Sequence, residues 1–112
     1  MNDRIILNQQ KIFLDPPVLT RDLSNGNYTI LHGGNLTLSC EASGTPQPSI
    51  EWYINNNIIK ENRHWRIEKD GTQLVLSDVV WEVSGVYQCV AKNKVTNVSS
   101  SAIVNVFGKP SI

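Results

Sequence analysis

The chain has 112 residues, of which 40% are hydrophobic, and its 10 basic and 10 acidic residues leave a formal net charge of zero. This length suits one domain with a single core. Because basic residues are neither in excess nor clustered, nucleic acid and anionic membrane surfaces are not expected partners. No apolar stretch approaches the roughly 20 residues that span a bilayer, so we expect no membrane insertion by this domain.

Short runs of alternating apolar and polar residues predict an all-β domain, which we place at residues 11–107. Residues 1–10 are predicted to be a tail or linker, and their apolar runs are too short for a signal peptide. Pro16 and Pro17 donate no ladder hydrogen bond, so we expect them to interrupt the first strand at a sheet edge or at a switch between sheets. Gly108 and Pro110 are residue types common at domain boundaries, so we predict a linker to a following domain over residues 108–112.

The clearest alternation lies over residues 35–40, and a second run over residues 50–54 leads through three asparagines into a short strand at 58–59. Two strands at 64–69 and 72–77 flank Asp70-Gly71, a dipeptide that favours a two-residue hairpin turn. Two further strands follow an expected corner. The side chains predicted to face the core are Leu36, Leu38, Cys40, Ile50, Trp52, Ile54, Leu74, Leu76, Val79, Tyr87, Cys89, Ala91, Ala102, Val104 and Val106.

Four residues stand at informative offsets, since Trp52 follows Cys40 by twelve positions and Tyr87 precedes Cys89 by two. Together with Gly33-Gly34, the segment from Gly44 to Pro48, Leu76, Gly85 and Ala91-Lys92-Asn93, they make the chain closely resemble intermediate-set (I-set) immunoglobulin domains. Such domains occur in adhesion molecules, receptor tyrosine kinase ectodomains, axon-guidance receptors and matrix proteins. The resemblance implies a Greek-key β-sandwich with one inter-sheet disulfide between Cys40 and Cys89, against which Trp52 packs, and a corner tied down by the Tyr87 hydroxyl.

The chain departs from the family pattern at two places. Val83 stands where an Asp is usual, so an ion pair between that Asp and a nearby Arg is not expected. Residues 94–97 lack the usual Gly of the last turn, and we expect Asn97 to take the left-handed backbone position instead.

A Cys40–Cys89 disulfide implies an oxidising compartment, and we therefore expect a piece of a longer secreted or membrane-anchored protein. The alternative is a pair of buried free thiols, as in the related intracellular domains of giant muscle proteins.

Catalysis and metal binding have little support in the sequence. His32 and His64 are isolated, and both cysteines belong to the core, so neither an activated nucleophile nor three converging metal ligands is visible. We expect no enzyme activity, no metal and no cofactor.

Three Asn-X-Ser/Thr sequons, at Asn27, Asn35 and Asn97, are candidate glycosylation sites. Their number is close to the roughly 1.7 that random placement gives, so position matters more than number. Asn35 points outward from one predicted sheet. The outward residues of the opposite sheet form the candidate binding face, since clustered apolar side chains often mark protein contacts; its members are Tyr53, Val86, Gln88, Val90 and Ile103. Trp65 and Trp81 are either partner anchors or caps on the open end of the sandwich.

The leading interpretation is a non-enzymatic extracellular module that recognises another protein, through adhesion or receptor–ligand binding. Its contact would be the candidate binding face or the neighbouring loops. Two alternatives are a structural spacer in a tandem array or matrix protein, and an intracellular scaffold domain of the sarcomeric type.

Overall fold

The computed structural model describes residues 4–7 and 10–109. Twelve strands run through them, with a single 3-10 turn at Trp81–Val83. The strands are β1 (Arg4–Leu7), β2 (Gln10–Phe13), β3 (Asp15–Arg21), β4 (Gly26–Leu31), β5 (Leu36–Ser39), β6 (Glu41–Thr45), β7 (Ser49–Ile54), β8 (Asn57–Ile58), β9 (Trp65–Glu68), β10 (Gln73–Leu76), β11 (Gly85–Lys92) and β12 (Asn97–Phe107).

Two sheets face each other across the core. One has the order β4-β12-β11-β7-β8, with antiparallel neighbours except for β4, which runs parallel to β12. The other has the order β5-β10-β9, and the β3–β6 pair extends it because only Cys40 separates β5 from β6. The chain is an all-β sandwich, and a disulfide between Cys40 and Cys89 joins its two sheets.

The N-terminal region contains an antiparallel hairpin, in which Arg4–Leu7 pairs with Gln10–Phe13. The tail or linker over residues 1–10 stays a prediction; residues 1–3 and 8–9 lie outside the described part, as do residues 110–112 of the expected linker. The prolines lie in β3, which pairs only with β6 among the described strands and so forms a sheet edge, one of the two positions expected; the switch between sheets is not at this position. The prolines lie at a register shift between Asp15 and Val18, where the ladder requires no N–H donor.

The switch between sheets occurs later, between β3 and β4. Ser24 and Asn25 adopt left-handed backbone angles there, with φ of 54° and 51°. The turn shifts the chain sideways without changing its overall direction, so that β4 joins β12 as a parallel neighbour. Short polar side chains tolerate the left-handed conformation better than bulky or β-branched ones. The edge strand β4 therefore belongs to the five-stranded sheet.

The turns follow the sequence in one case and depart from it in another. Asn55 and Asn56 have φ of 47° and 68°, which is the left-handed reversal expected of the asparagine run. The Asp70-Gly71 connection is four residues long, not two, because β9 and β10 pair from Glu68 to Gln73. Two long-range bonds hold this turn: the Cys40 N–H donates to the Thr72 carbonyl, and the Trp52 indole donates to Gly71.

The core lies between the sheets and consists of residues from both. Val83 is buried in it, so the position where the family usually carries an Asp is apolar here. Arg63 instead forms an exposed ion pair with Asp78, at 3.3 Å. The core residues are Leu23, Leu38, Cys40, Trp52, Ile59, Leu74, Leu76, Val79, Val83, Tyr87, Cys89, Ala102 and Val104.

Candidate functional site

A rigid frame supports the outer surface of the five-stranded sheet. Trp52 on β7 pairs with Cys89 on β11, so the indole lies beside the Cys40–Cys89 disulfide. Trp52 is buried, and its Nε1 donates a 2.7 Å hydrogen bond to the Gly71 carbonyl. The buried indole thus has its one polar atom satisfied.

Tyr87 ties the 3-10 turn to β11. Its hydroxyl donates to the Val83 carbonyl at 2.6 Å and accepts from the Trp65 indole at 3.0 Å. Trp65 is half-buried and packs against the core, so the structure places it within the sandwich end and not as a free anchor. Burial raises the pKa of Tyr87 to about 12.

We expect Tyr87→Phe to lower the free energy of unfolding by about 1–3 kcal/mol, because the Val83 carbonyl and the Trp65 indole lose their partner. The pKa of Tyr87 rises from 10.0 unfolded to about 12 folded. The unfolded chain therefore loses its proton first, and this stabilisation is complete below pH 10 and falls as the pH rises toward 12. Denaturant unfolding across that interval measures it. A Tyr53→Phe control should retain the fall, whereas an equal fall in Tyr87→Phe would contradict the assignment.

Leu76 and Gly85 hold neighbouring parts of the frame. Leu76 is fully buried on β10. A Cβ at Gly85 would lie 2.7 Å from the Nδ2 atom of Asn55, too close to be accommodated without a shift. The Asn55 Oδ1 atom accepts the Val86 N–H at 3.0 Å, so the missing side chain lets Asn55 anchor the start of β11.

The candidate binding face is the outer surface of the five-stranded sheet, and the structure brings its five predicted residues together there. Val86 pairs with Ile103, and these side chains are 47% and 43% exposed. Gln88 pairs with Tyr53 on the neighbouring strand, and Val90 lies two residues further along β11. Sequence reasoning missed Ile58, which pairs with Tyr53 and is 52% exposed.

One part of this face is polar. The Glu51 carboxylate accepts hydrogen bonds from the Lys92 ammonium and the Tyr53 hydroxyl, each at 3.0 Å. The hydrogen bond from Lys92 is the main cause that lowers the pKa of Glu51, and the same carboxylate raises the pKa of Lys92 and Tyr53. The face therefore has an apolar half around Val86 and a charged half around Glu51.

A second exposed apolar group lies where β12 ends. Phe107 pairs with Leu31, and both are exposed. The Trp81 indole donates to the Gly108 carbonyl at 2.9 Å and meets the His32 ring edge-on, with centroids 6.1 Å apart. The sequence assigned Trp81 to a cap or an anchor, and the structure leaves it 52% exposed beside Gly108.

The three sequons lie on two surfaces. Asn35 is exposed immediately before β5 of the smaller sheet, where its Oδ1 atom accepts the Asp78 N–H at 3.0 Å. Asn27 pairs with Ile103 and Asn97 pairs with Lys92, so both belong to the outer surface that carries the candidate binding face. Their positions depend on strand neighbours that the local sequence does not reveal.

Asn97 does not occupy a left-handed position, contrary to expectation, because it begins β12 in extended conformation. Asn93 closes this turn instead. Its Oδ1 atom accepts the Val95 N–H at 2.9 Å, a side-chain substitute for a backbone turn. Its Nδ2 atom donates to the carbonyls of Asp15 and Pro46, at 2.8 and 3.0 Å, and so links the two sheets at this end.

The two histidines occupy separate places. His32 contacts Trp81, and the Nδ1 atom of His64 lies 3.2 Å from the Ser77 carbonyl. Among the described residues, no group of three or more His, Cys, Asp or Glu side chains could hold a metal ion. In the same part of the chain, no helix is long and apolar enough to cross a membrane.

The comparisons with known proteins agree with this architecture. The family model described as an immunoglobulin domain matches residues 16–93. The chain is 34% identical over 106 residues to vascular endothelial growth factor receptor 1 from Homo sapiens, which covers 92% of this chain and 8% of the receptor. It is also 32% identical over 82 residues to titin from Drosophila melanogaster, which covers 71% of this chain and a share of titin that rounds to 0%.

Among solved structures, titin domain M7 superposes with a TM-score of 0.76 at 23% identity, covering 86% of this chain and 98% of that one. This likeness supports the sandwich fold. The chain spans a small part of the curated relatives it matches. From the family match, the disulfide across the two sheets and these relatives, the chain belongs to the immunoglobulin domain family.

Proposed function

We propose that this domain is a non-enzymatic extracellular recognition module of the I-set type, occupying residues 11–107, and that it binds another protein through the candidate binding face. The observation that carries the proposal is the Val86–Ile103 pair, two large apolar side chains exposed on the adjacent strands β11 and β12. Ile58 and the half-exposed Tyr53 extend this apolar surface across β7 and β8. Contiguous apolar surface with a polar border is typical of protein contacts.

The charged half supports a specific orientation of the partner. Glu51, Lys92 and Tyr53 form one hydrogen-bonded group beside the apolar side chains. At the rim of an interface such charges contribute little affinity but select partners and their register. A protein partner with a complementary charge pair would therefore be preferred over one that offers only apolar surface.

An extracellular location is supported by the similarity to the growth factor receptor and by the inter-sheet disulfide. We assign no cofactor and no metal to the function. The frame of Trp52, Tyr87 and the disulfide holds the face rigid, so that binding does not require the sheet to be ordered first.

We expect Ile103→Lys to abolish partner binding, because it places a charge in the apolar half of the face. The thermal midpoint should stay nearly unchanged, because the Ile103 side chain is 43% exposed and its neighbours on β12 are the ones that pack in the core. Binding is measured against a panel of extracellular ectodomains and by sedimentation velocity for a second copy of this domain. Both assays are run before and after enzymatic removal of N-linked glycans.

Val18→Lys is the matched control, because it places the same charge on β3 of the other sheet at a side chain that is 57% exposed. Binding retained in Val18→Lys and lost in Ile103→Lys supports the proposal. If both variants bind every partner as well as the parent chain does, the face is not the contact, and a spacer role is favoured instead.

A second candidate is an intracellular scaffold domain, which the similarity to titin favours. It predicts reduced Cys40 and Cys89 and an unmodified Asn35. Thiol titration and intact mass on protein from secretory cells separate the two candidates. A disulfide-bonded, glycosylated product supports the extracellular proposal, and a chain that folds only when reduced and unglycosylated contradicts it.

A further inference from the structure

A row of three side chains crosses the outer surface of the five-stranded sheet at one level. Ile103 on β12 pairs with Asn27 on the parallel edge strand β4 and with Val86 on the antiparallel strand β11. Paired residues on adjacent strands point to the same side of a sheet, and strands lie about 4.8 Å apart. Asn27 is therefore about one strand spacing from Ile103 and about 10 Å from Val86.

Asn27 has the local features of a modification site. It begins the sequon Asn27-Tyr28-Thr29, in which Tyr28 packs against the core while Asn27 and Thr29 are exposed. The Asn105 amide donates a 3.1 Å hydrogen bond to the Asn27 Oδ1 atom. This bond holds the Asn27 side chain at the surface next to β12. It uses the amide oxygen of Asn27, whereas an oligosaccharide is attached to the amide nitrogen.

We propose that an N-linked oligosaccharide on Asn27 covers Ile103 and Val86 and so regulates access to the apolar half of the candidate binding face. An N-linked glycan is bulky and hydrophilic, and one attached a single strand spacing from Ile103 stands over it. The inference rests on the proposed function, because glycosylation requires passage through the secretory pathway and the regulated contact is the proposed one. Molecules that carry this glycan would present only the charged half to a partner.

The other two sequons lack this arrangement. Asn35 lies immediately before β5 of the opposite sheet. Asn97 shares the outer surface but lies six residues from Ile103 along β12, about 20 Å at the rise of an antiparallel strand. A glycan at either position leaves the Val86–Ile103 pair uncovered, so the effect is specific to Asn27.

The test measures accessibility of position 103 and needs no partner. Ile103→Cys is produced in secretory cells, with occupancy of Asn27 determined by peptide mass spectrometry, and reacted with a polyethylene-glycol maleimide. The native cysteines are buried, so the reagent labels the introduced thiol. Thr29→Ala in the same chain removes the sequon but keeps Asn27 and its bond to Asn105. We expect labelling to be several-fold faster in the Thr29→Ala background than in the glycosylated protein.

Val18→Cys on β3 is the matched control, and its labelling rate should be the same in both backgrounds. Unoccupied Asn27 in the secreted protein, or equal rates at position 103, overturns the inference. Binding of partner ectodomains to the Thr29→Ala protein is measured separately, with and without the additional Ile103→Lys substitution. Slow labelling of the glycosylated form together with binding that is insensitive to Ile103→Lys would support masking by the glycan and overturn the proposed contact.

Discussion

Trp52→Ala should lower the free energy of unfolding by about 3–5 kcal/mol, the range for deleting a buried large aromatic side chain. Trp52 lies against the inter-sheet disulfide, and its removal opens a cavity between the two sheets. The substitution also removes the indole donor of the Gly71 carbonyl, which holds the turn between β9 and β10. Because single domains are stable by only about 5–15 kcal/mol, this loss is a large share of the free energy of unfolding. Denaturant unfolding followed by fluorescence or circular dichroism gives the value.

Trp81→Ala is the matched control, since the same side chain is removed from a position that is 52% exposed. Its loss should be clearly smaller, because little core surface is uncovered and the Gly108 carbonyl can bond to water. A loss below about 1 kcal/mol for Trp52→Ala would contradict its central place in the core.

Replacing both cysteines, as Cys40→Ala with Cys89→Ala, should lower the free energy of unfolding by about 4 kcal/mol. The disulfide joins residues 49 positions apart. In the loop-entropy description, closing a loop of that size lowers the conformational entropy of the unfolded chain by an amount that corresponds to this free energy. The measurement is denaturant unfolding of the double variant beside the oxidised parent chain.

Reduction of the parent chain in denaturant, followed by refolding under reducing conditions, controls for the change in side-chain volume. The reduced parent should lose a similar amount to the double variant. If the reduced chain is as stable as the oxidised one, the disulfide is dispensable, and that result would favour the intracellular candidate over the extracellular one.

The inward and outward positions could be predicted from alternation alone. Along β12, Ala102 and Val104 are buried and Ile103 is exposed, which is the arrangement that period-two patterning indicates. Tyr87 and Cys89 on β11 follow the same rule. Side-chain direction along a strand is a local property, so it requires no knowledge of which strands are neighbours.

The contacts that join distant segments could not be predicted in this way. Asn93 links β3, the segment at Pro46 and the last turn through one amide, and although the run Ala91-Lys92-Asn93 contributes to the family resemblance, it does not indicate these distant partners. The exposed apolar group where β12 ends, with Leu31, Trp81 and Phe107, likewise consists of residues that come together only when β4 lies beside β12. The sequence predicted a sheet edge or a switch between sheets at the prolines, and only the partner strands show that it is an edge with a register shift, where an N–H donor is superfluous.

By itself, the sequence determined the all-β class and the outward direction of Val86 and Ile103, since these depend on composition and alternation. The facing cysteines beside Trp52 and Tyr87 were implied by the resemblance to I-set domains. Only the tertiary structure decided that β4 joins the five-stranded sheet and runs parallel to β12. This placement brings Asn27 beside Ile103 and within a hydrogen bond of Asn105, 78 positions away. The physical reason is that strand neighbours are chosen by burial and hydrogen bonding over the whole chain, whereas alternation carries information only within a strand.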